Sequence, residues 1–307
     1  MSETIKIGTR GSPLALAQAH ETRSRLMAAQ ALPADAFEIV VIKTTGDAIL
    51  DRPLGEIGGK GLFTKEIEEQ LLGGQIDLAV HSMKDMPVDQ PTGLMMACYL
   101  PREDVRDAFV SVKYGSIAEL PKGARLGTSS LRRRAQILNR RPDLKLVEFR
   151  GNVQTRMRKL NEDVADATFL AMAGLNRLDM VSVARSAIET DDILPAVAQG
   201  AIGIECREGD TRILEMLAKI NHGPTTDRLR AERAFLRKLD GSCQTPIAGL
   251  AEIDGDKMCL RGEILRPDGS EAVNGERMGQ ISDAAMMGED LAKELLDRSG
   301  GDFFTGL

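Results

Sequence analysis

The chain has 307 residues, which is long enough for two or three domains, each with its own hydrophobic core. Its hydrophobic content of 42% and charged content of 28% are typical of a soluble globular protein. The net charge of −6 argues against general nucleic-acid binding, so any basic site must be local. The N-terminus lacks the features of a signal peptide, and no apolar run is long enough to span a membrane. We therefore expect a cytoplasmic protein with no membrane or nucleic-acid partner.

The predicted elements form two α/β units followed by a smaller α+β unit. In chain order, strands are predicted at 5–8, 37–42, 76–80, 125–127, 145–149, 168–171, 198–205, 247–253 and 258–265. Helices are predicted from Pro13, with Ser12 as the N-cap, and at 64–72, 130–139, 153–160, 211–220, 225–239 and 284–296. The strand at 198–205 marks a return to the first unit. We therefore expect domain 1 at 1–100 plus 200–220, domain 2 at 101–199 and domain 3 at 221–307.

Two stretches of the predicted first domain have the composition of functional loops. Residues 43–61 form an irregular connection with repeated glycines, which predicts a mobile lid rather than a packed segment. The strand at 76–80 runs directly into His81-Ser82-Met83-Lys84-Asp85-Met86-Pro87, and open α/β sheets bind ligands at the carboxyl ends of their strands. Asp85 in this segment is expected to stay ionised and to stabilise a cationic reacting centre. An ordinary strand-end cap explains Asp85 equally well.

Positive charge is concentrated in the predicted second domain. Arginines between residues 125 and 158 are opposed in sequence only by Asp143 and Glu148, and they stand at Arg125, Arg132, Arg133, Arg134, Arg140, Arg141, Arg150, Arg156 and Arg158. Arg132 and Arg133 fall in the first turn of a predicted helix, where the helix dipole disfavours cations. Their position indicates an anion shared between the guanidinium groups, the backbone N–H groups and the hydroxyls of 128–130.

The same arrangement of arginine, glycine and helix start recurs twice. It is found at Arg150-Gly151-Asn152 and at Thr9-Arg10-Gly11-Ser12, so the sequence predicts a ligand with several anionic groups. Ligands for Mg²⁺ are not evident, and aromatic residues make up only 3% of the chain. A polycarboxylate is therefore favoured over a phosphate or a nucleic acid. The remaining arginines, Arg134, Arg140, Arg141 and Arg158, are expected on solvated helix faces.

The four cysteines and three histidines are spaced too widely to predict a metal site or a disulfide framework. Cys98, Cys206 and Cys259 lie in apolar, strand-like segments, where cysteine behaves as a small hydrophobe. Cys243 differs, because glycine and proline place it on a loop where its thiol is open to chemistry. An incidental surface thiol is the alternative interpretation.

Several short motifs follow one another along nearly the whole chain. They are Thr9-Arg10-Gly11-Ser12-Pro13-Leu14-Ala15, Gly58-Gly59-Lys60-Gly61-Leu62-Phe63, Ala79-Val80-His81-Ser82-Met83-Lys84-Asp85, Gly127-Thr128-Ser129-Ser130-Leu131-Arg132-Arg133, Arg150-Gly151-Asn152-Val153, Pro195-Ala196-Val197-Ala198-Gln199-Gly200 and Gly241-Ser242-Cys243-Gln244-Thr245-Pro246. No single motif is decisive, but together and in this order they are very specific. The chain closely resembles the porphobilinogen deaminase family, whose members are also called hydroxymethylbilane synthases.

The resemblance implies a fold and a reaction. The fold class is α/β with three domains: two type II periplasmic-binding-protein-like α/β domains around a cleft, plus a small α+β C-terminal domain. Family members join four porphobilinogen molecules head to tail, release ammonia each time and finally release a linear tetrapyrrole by hydrolysis. Each pyrrole carries an acetate and a propionate, which would explain the arginines. The resemblance also implies a monomer, and porphobilinogen as the small-molecule substrate.

Roles for individual residues follow from the same resemblance. It implies that Cys243 carries a dipyrromethane cofactor through a thioether, and that Asp85 is the central catalytic residue, with Arg10 and Lys84 beside it. The implied cofactor-binding residues besides Cys243 are Asp85, Lys84, Ser82, Thr128, Ser129, Ser130, Arg132, Arg133 and Gly151. The implied substrate-binding residues are Arg10, Ser12, Phe63, Arg150, Arg156, Arg177 and Gln199.

Two other classes of protein share parts of this pattern. A non-enzymatic two-domain binding protein or sensor for a polycarboxylate would need the arginines but would give Cys243 and Asp85 no role. A different cysteine-dependent transferase acting on a polycarboxylate would use Cys243 as a nucleophile. The absence of a histidine near Cys243 in sequence weakens that second alternative only slightly, because catalytic partners can be remote in sequence.

Overall fold

The computed structural model describes residues 4–48, 63–241, 245–300 and 303–304. Most of the predicted lid at 43–61, and Cys243 with its two neighbours, lie outside these residues. The described chain separates into two compact units. Among the described residues, the first unit contains 4–48, 63–103 and 200–226, and the second contains 104–199, 227–241, 245–300 and 303–304.

Strands and helices alternate through most of the chain. The strands are β1 (Ile5–Arg10), β2 (Phe37–Ile42), β3 (Leu78–Ser82), β4 (Leu94–Tyr99), β5 (Asp107–Val110), β6 (Arg125–Gly127), β7 (Lys145–Val147), β8 (Ala167–Ala171), β9 (Ser186–Ile188), β10 (Ile202–Arg207), β11 (Ile247–Asp254), β12 (Lys257–Leu265) and β13 (Ala272–Gln280). The α-helices are α1 (Pro13–Gln30), α2 (Thr45–Ala48), α3 (Lys65–Leu72), α4 (Leu131–Arg140), α5 (Val153–Asn161), α6 (Met172–Arg177), α7 (Thr211–Ala218), α8 (Gly223–Lys238) and α9 (Ala284–Ser299).

The first unit contains a five-stranded sheet in the order β2-β1-β3-β10-β4. Strand β1 runs parallel to β2 and β3, whereas β10 runs antiparallel to β3 and β4. Its main core joins Ile7, Leu26, Leu78 and Ile204, so α1 covers one face of the sheet. Parallel strands need crossover connections, and α1 is the crossover between β1 and β2.

The second unit contains a sheet of the same pattern, in the order β7-β6-β8-β5-β9. Successive residues of β5 enter different cores: Phe109 packs on one side and Ala108 and Val110 on the other. Burial on both faces is typical of α/β sheets covered by helices on each side. Each of the two sheets has parallel strands and one antiparallel strand inserted from elsewhere in the chain, and this topology confirms the predicted α/β class.

The C-terminal part of the second unit is an antiparallel sheet in the order β11-β12-β13, packed against helices. Strand β13 was missed in the sequence because its few apolar residues are separated by polar residues and glycines and are mostly at least partly exposed, which gives no apolar run. Helix α9 packs directly on the backbone of α8 at Gly288. A Cβ atom there would overlap the carbonyl oxygen of Ala231 and lie 2.7 Å from the backbone nitrogen of Phe235.

Gly288→Ala is therefore expected to lower the free energy of unfolding by about 1–3 kcal/mol, because the added methyl group must push two helices apart. Urea denaturation measures this change. Gly223→Ala is the matched control, since a Cβ at Gly223 meets no atom within 4 Å. Equal denaturation midpoints for the Gly288 variant and the wild type would show that the helices are packed less closely here.

Some predicted boundaries were wrong for local reasons. The strand predicted at 198–205 begins only at Ile202, because Ala198 and Gly200 have positive φ angles of 61° and 87°, outside the range of a strand. The strand predicted from 76 begins at Leu78. Thr64 precedes α3 as predicted, but its side chain makes no capping hydrogen bond. Ser12 does cap α1, since its hydroxyl accepts a hydrogen bond from the Ala15 N–H.

Candidate active site

A pocket opens in the first unit where β1 and β3 end. Because these strands are adjacent and parallel, their carboxyl ends meet at one edge of the sheet. The pocket and the solvent space at its mouth together have a volume of about 450 Å³. It brings together five residues predicted from the sequence as site residues, namely Arg10, Ser12, Phe63, Ser82 and Asp85. Residues separated by more than 70 positions in the chain thus share one cavity wall.

The polar groups of this pocket are held by local contacts. The Arg10 guanidinium lies over the Phe63 ring, 4.2 Å from the ring centroid, in a cation–π contact. The Ser82 hydroxyl hydrogen bonds to the side-chain amide of Gln18, at 2.8 Å from its Nε2. These contacts restrain the side chains of Arg10 and Ser82 before any ligand binds, which favours specific recognition.

Asp85 stands apart from these contacts. It ends the short 3₁₀ helix Met83–Asp85 that follows β3, and its side chain is exposed. Its carboxylate has no hydrogen-bond or ion-pair partner among the described residues. Lys84 lies in the same turn and is half-buried. An accessible carboxylate in a pocket that also holds a guanidinium can accept a hydrogen bond from a ligand or stabilise positive charge on it.

In the second unit, Arg132 and Arg133 are buried and bind Asp107. Arg132 donates to Asp107 Oδ2 at 2.8 Å, and Arg133 donates to Oδ1 at 2.7 Å and to Oδ2 at 3.1 Å. Gln199 Nε2 also donates to Asp107 Oδ1, at 2.9 Å. The carboxylate is fully buried, so it needs these partners. The anion that the first turn of α4 requires is therefore supplied by the chain itself.

This network corrects the expectation that a bound ligand alone explains the two arginines. Burial by itself raises the pKa of Asp107, but the charges of Arg132 and Arg133, with hydrogen bonds from Arg133 and Gln199, hold it well below its usual range. The three partners therefore carry a structural role. Arg132, Arg133 and Gln199 also donate to the backbone carbonyls of Leu194, Phe169 and Val105. Their cofactor- and substrate-binding roles stay predictions.

The hydroxyls predicted to bind the cofactor shape the loop before α4. Ser130 caps the helix by accepting from the Arg133 N–H at 3.4 Å, and Thr128 accepts from the Ser130 N–H at 3.2 Å. Ser129 accepts from the Phe149 N–H at 3.1 Å. Each of these bonds uses the oxygen as an acceptor. A hydroxyl also has one hydrogen to donate, so all three can still donate to a carboxylate.

Arg150, Gly151 and Arg156 form a second cationic group in this unit. Gly151 has a φ of +121°, which a residue with a side chain rarely adopts, and its carbonyl accepts from Arg156 Nε at 2.9 Å. Burial lowers the pKa of Arg156 to about 10, and the charges of Arg133 and Arg150 contribute to that shift. Arginine charges that repel one another in this way fit a ligand that carries several carboxylates.

Three further arginines named in the sequence analysis have different surroundings. Arg177 is half-buried at the end of α6. Arg158 is exposed and within 3.7 Å of Glu162, as expected for a solvated helix face. Arg141 differs from that expectation, because it is partly buried and binds Asp143 and the carbonyls of Ile117 and Leu120.

The described cysteines are poorly suited to nucleophilic chemistry. Burial raises the pKa of the Cys98 thiol to about 12 and that of Cys206 to about 11. Burial also raises the pKa of Cys259, which lies in β12. A thiol must ionise to react, so these three are inert, as their strand positions predicted. Cys243 remains the candidate attachment point by sequence.

Comparison with known proteins identifies the family. Residues 5–215 match the family model described as "Porphobilinogen deaminase, dipyromethane cofactor binding domain", and residues 226–297 match "Porphobilinogen deaminase, C-terminal domain". The chain belongs to the porphobilinogen deaminase family. The porphobilinogen deaminase of Paracoccus denitrificans is 68% identical, over 98% of this chain and 96% of that protein. The chloroplastic porphobilinogen deaminase of Pisum sativum is 56% identical, over 98% of this chain and 83% of that protein.

Membership in the porphobilinogen deaminase family confirms the resemblance drawn from the motifs. It makes the chain an enzyme of porphyrin synthesis with a dipyrromethane cofactor-binding domain. Among solved structures, the methionine-binding protein MetQ matches 71% of this chain and 88% of its own, with 14% identity and a TM-score of 0.45. A nutrient-binding protein from Burkholderia cenocepacia bound to methionine matches 73% and 94%, with 14% identity and a TM-score of 0.44.

Sequence reasoning missed two buried acidic residues beside the predicted site. Asp107 opens the fully buried strand β5, and Glu205 lies among apolar residues in the middle of β10. Aspartate and glutamate are almost never fully buried unless they are paired. A charged residue inside an apolar strand is therefore a signal for a buried partner, although the sequence does not identify that partner.

No helix in the described ranges is long and apolar enough to cross a membrane.

Proposed function

We propose that this chain joins four porphobilinogen molecules head to tail onto a dipyrromethane held by Cys243, and then releases a linear tetrapyrrole by hydrolysis. Each joining step transfers a pyrrolylmethyl group to the growing chain and releases ammonia, so the enzyme is a transferase. The observation that carries the proposal is the pocket at the ends of β1 and β3, where Asp85 and Arg10 lie together. The family match favours this activity over the polycarboxylate-binding and cysteine-transferase alternatives.

Asp85 provides the negative charge that this reaction needs. Loss of ammonia from the aminomethyl group of porphobilinogen leaves a cation delocalised over the pyrrole ring. An ionised carboxylate fixed close to that ring stabilises the cation and accepts a hydrogen bond from the pyrrole N–H. Asp85 is free to do both, because no described residue binds its carboxylate. Arg10, restrained by Phe63, binds a substrate carboxylate in the same pocket.

The groups of the second unit are suited to binding carboxylates. When bound to Cys243, dipyrromethane supplies the pyrrole carbon to which the first substrate is joined. Its acetate and propionate groups match the donors of this unit: the Thr128, Ser129 and Ser130 hydroxyls and the guanidinium groups of Arg132, Arg133, Arg150 and Arg156. Gly151 lets the backbone turn beside Arg156. Ser82 and Lys84 are the corresponding donors of the first unit, while Ser12, Phe63, Arg177 and Gln199 complete the proposed substrate site.

The organisation of the chain stays as predicted from the sequence. We propose domain 1 at 1–100 plus 200–220, domain 2 at 101–199 and domain 3 at 221–307. The position of β10 within the first sheet supports the assignment of 200–220 to domain 1. A monomeric state and a cytoplasmic location also remain predictions.

Arg156→Gln is expected to raise the KM for porphobilinogen about 10- to 100-fold, because a charge-assisted hydrogen bond to a carboxylate contributes roughly 1.5–3 kcal/mol. Steady-state kinetics measures the change. Arg158→Gln is the matched control, since Arg158 lies two residues further along α5 and its side chain is 68% exposed. Equal KM values for the Arg156 variant and the wild type would remove Arg156 from the substrate site.

The proposed reaction can be tested directly with purified protein and porphobilinogen. We expect one ammonia molecule to be released for each porphobilinogen consumed, together with formation of a linear tetrapyrrole. Binding of porphobilinogen without consumption would instead support the polycarboxylate-binding alternative.

A further inference from the structure

A buried imidazole–carboxylate pair lies beside the pocket. His81 belongs to β3, lines the pocket and is 6% exposed. Its Nε2 lies 3.1 Å from Oε2 of Glu205, which is fully buried in the neighbouring strand β10. The pair therefore connects the wall of the pocket with the interior of the first sheet.

The surroundings of this pair are unusually acidic. Oε1 of Glu205 is buried and has no hydrogen-bond partner in the described part of the chain. Glu68 approaches from α3; burial raises its pKa, and the charge of Glu205 adds to that rise. Unpaired buried polar atoms are rare in native proteins and call for an explanation. Metal binding does not provide one, because no cluster of potential ligands among the described residues could hold a metal ion.

The contact with Glu205 orients the His81 ring. With Glu205 as a carboxylate, which only accepts hydrogen bonds, Nε2 of the neutral ring donates to it and Nδ1 carries the lone pair. Nδ1 has no partner among the described residues. This is the arrangement in which a carboxylate fixes the tautomer of a histidine that acts as a base. The charged or titratable groups facing His81 are Glu205 from β10, Glu68 from α3, Arg10 from β1 and Asp85 from the turn after β3.

We propose that His81 is a second proton-transfer group of the pocket, and that Glu205 positions it. The inference rests on the proposed function and identifies His81 as the base of the joining reaction. In each joining step the C–N bond of the protonated aminomethyl group of porphobilinogen breaks, and its electron pair leaves with the nitrogen as ammonia. The attacking pyrrole carbon forms the new C–C bond and then loses its hydrogen, and the C–H electron pair restores that ring. The proton passes to Nδ1 of His81 and from there to the ammonia, which leaves as ammonium.

A separate base is needed because Asp85 cannot serve both purposes equally well. If Asp85 took the proton, it would lose the negative charge that stabilises the substrate cation. A proton on His81 is instead balanced by the Glu205 carboxylate behind it, 3.1 Å from the ring. An imidazole can both accept a proton and return it, as a group that acts in every cycle must.

The competing explanation is that the pair only ties β3 to β10. Nitrogen NMR of the histidine rings in the wild-type enzyme tests the ring tautomer that the proposal requires, and the chain has only three histidines. A purely structural pair would show the same tautomer, so the kinetic test decides between the two accounts. His20→Gln and His222→Gln assign the other two signals. We expect the neutral His81 ring to carry its hydrogen on Nε2. A hydrogen on Nδ1 would overturn the proposal, because the nitrogen assigned as the base would then be occupied.

The kinetic test uses His81→Gln, whose side-chain amide can still donate an N–H to Glu205 but cannot act as a base. We expect kcat to fall about 100-fold or more, KM to change less than about threefold, and the rise of kcat with pH on the acidic side to disappear. Glu205→Gln is expected to lower kcat and to shift the pH at which kcat rises on the acidic side. His20→Gln is the control, because His20 is exposed on α1.

The outcomes separate this inference from the proposed function. If the wild type does not consume porphobilinogen, the proposed function fails and the inference fails with it. If the wild type is active and His81→Gln keeps its kcat and pH profile, only the inference is overturned. If His81→Gln does not fold, the kcat and pH profile of Glu205→Gln decide: a lowered kcat with a shifted profile supports the inference, and wild-type values overturn it.

Discussion

Asp107→Asn is expected to lower the free energy of unfolding by about 3–5 kcal/mol, because it leaves two buried guanidinium groups without their counter-charge. Arg132 and Arg133 are only 4% and 6% exposed, and both bind this one carboxylate. Water cannot replace the lost charge at such depth. The midpoint of urea denaturation measures the loss.

The effect depends on pH in a defined direction. The folded pKa of Asp107 lies far below its usual range. Its contribution to stability is complete above the pKa of an unfolded aspartate, about 3.9. It is lost progressively as the pH falls from there towards the folded value, because the unfolded chain then binds a proton that the folded chain does not. The wild type and the variant should therefore differ most near neutral pH and converge in acid.

Asp163→Asn is the control for this prediction. Asp163 also pairs with a lysine and an arginine, Lys113 and Arg125, but at the exposed surface. Its removal should leave the denaturation midpoint almost unchanged. A stability difference between Asp107→Asn and the wild type that stays constant from pH 7 to pH 3 would contradict the buried-network account.

Asp85→Asn is expected to lower kcat about 10²- to 10³-fold while the protein folds and keeps its cofactor. Asparagine has the same shape, and Asp85 has no described partner that its replacement would disturb. Only the charge that stabilises the substrate cation is lost. Steady-state turnover of porphobilinogen and the thermal midpoint of the same preparation measure the two properties separately.

Asp89→Asn is the matched control, since Asp89 is exposed four residues further along the chain and does not line the pocket. Near-normal turnover by Asp85→Asn would remove Asp85 from the mechanism. A lowered thermal midpoint would instead show that its carboxylate has a structural role.

The sequence predicted the local structure and the pocket of the first unit well, because the signals were local. Ser12 and Pro13 mark the start of α1, and polar residues follow the apolar strand β3. Parallel pairing of β1 and β3 then places Arg10 and Asp85 at the same edge. These inferences need only a helix cap, an apolar strand and the rule that the carboxyl ends of parallel strands meet at one edge of a sheet.

Contacts between distant residues were not predictable in the same way. Arg132 signalled a missing anion, but nothing local pointed to Asp107, 25 residues earlier in the chain. His81 and Glu205 are 124 residues apart and meet only because β10 enters the first sheet beside β3. Burial decides such pairs, and burial depends on the topology of the whole unit.

The most direct test of the central claim is the intact mass of the purified protein, followed by peptide mapping around Cys243. The account predicts an added mass equal to two linked pyrrole units, located on that cysteine. A Cys243 that is unmodified as purified, and stays unmodified after incubation with porphobilinogen, would contradict the claim that this chain builds tetrapyrroles on a cysteine-bound dipyrromethane.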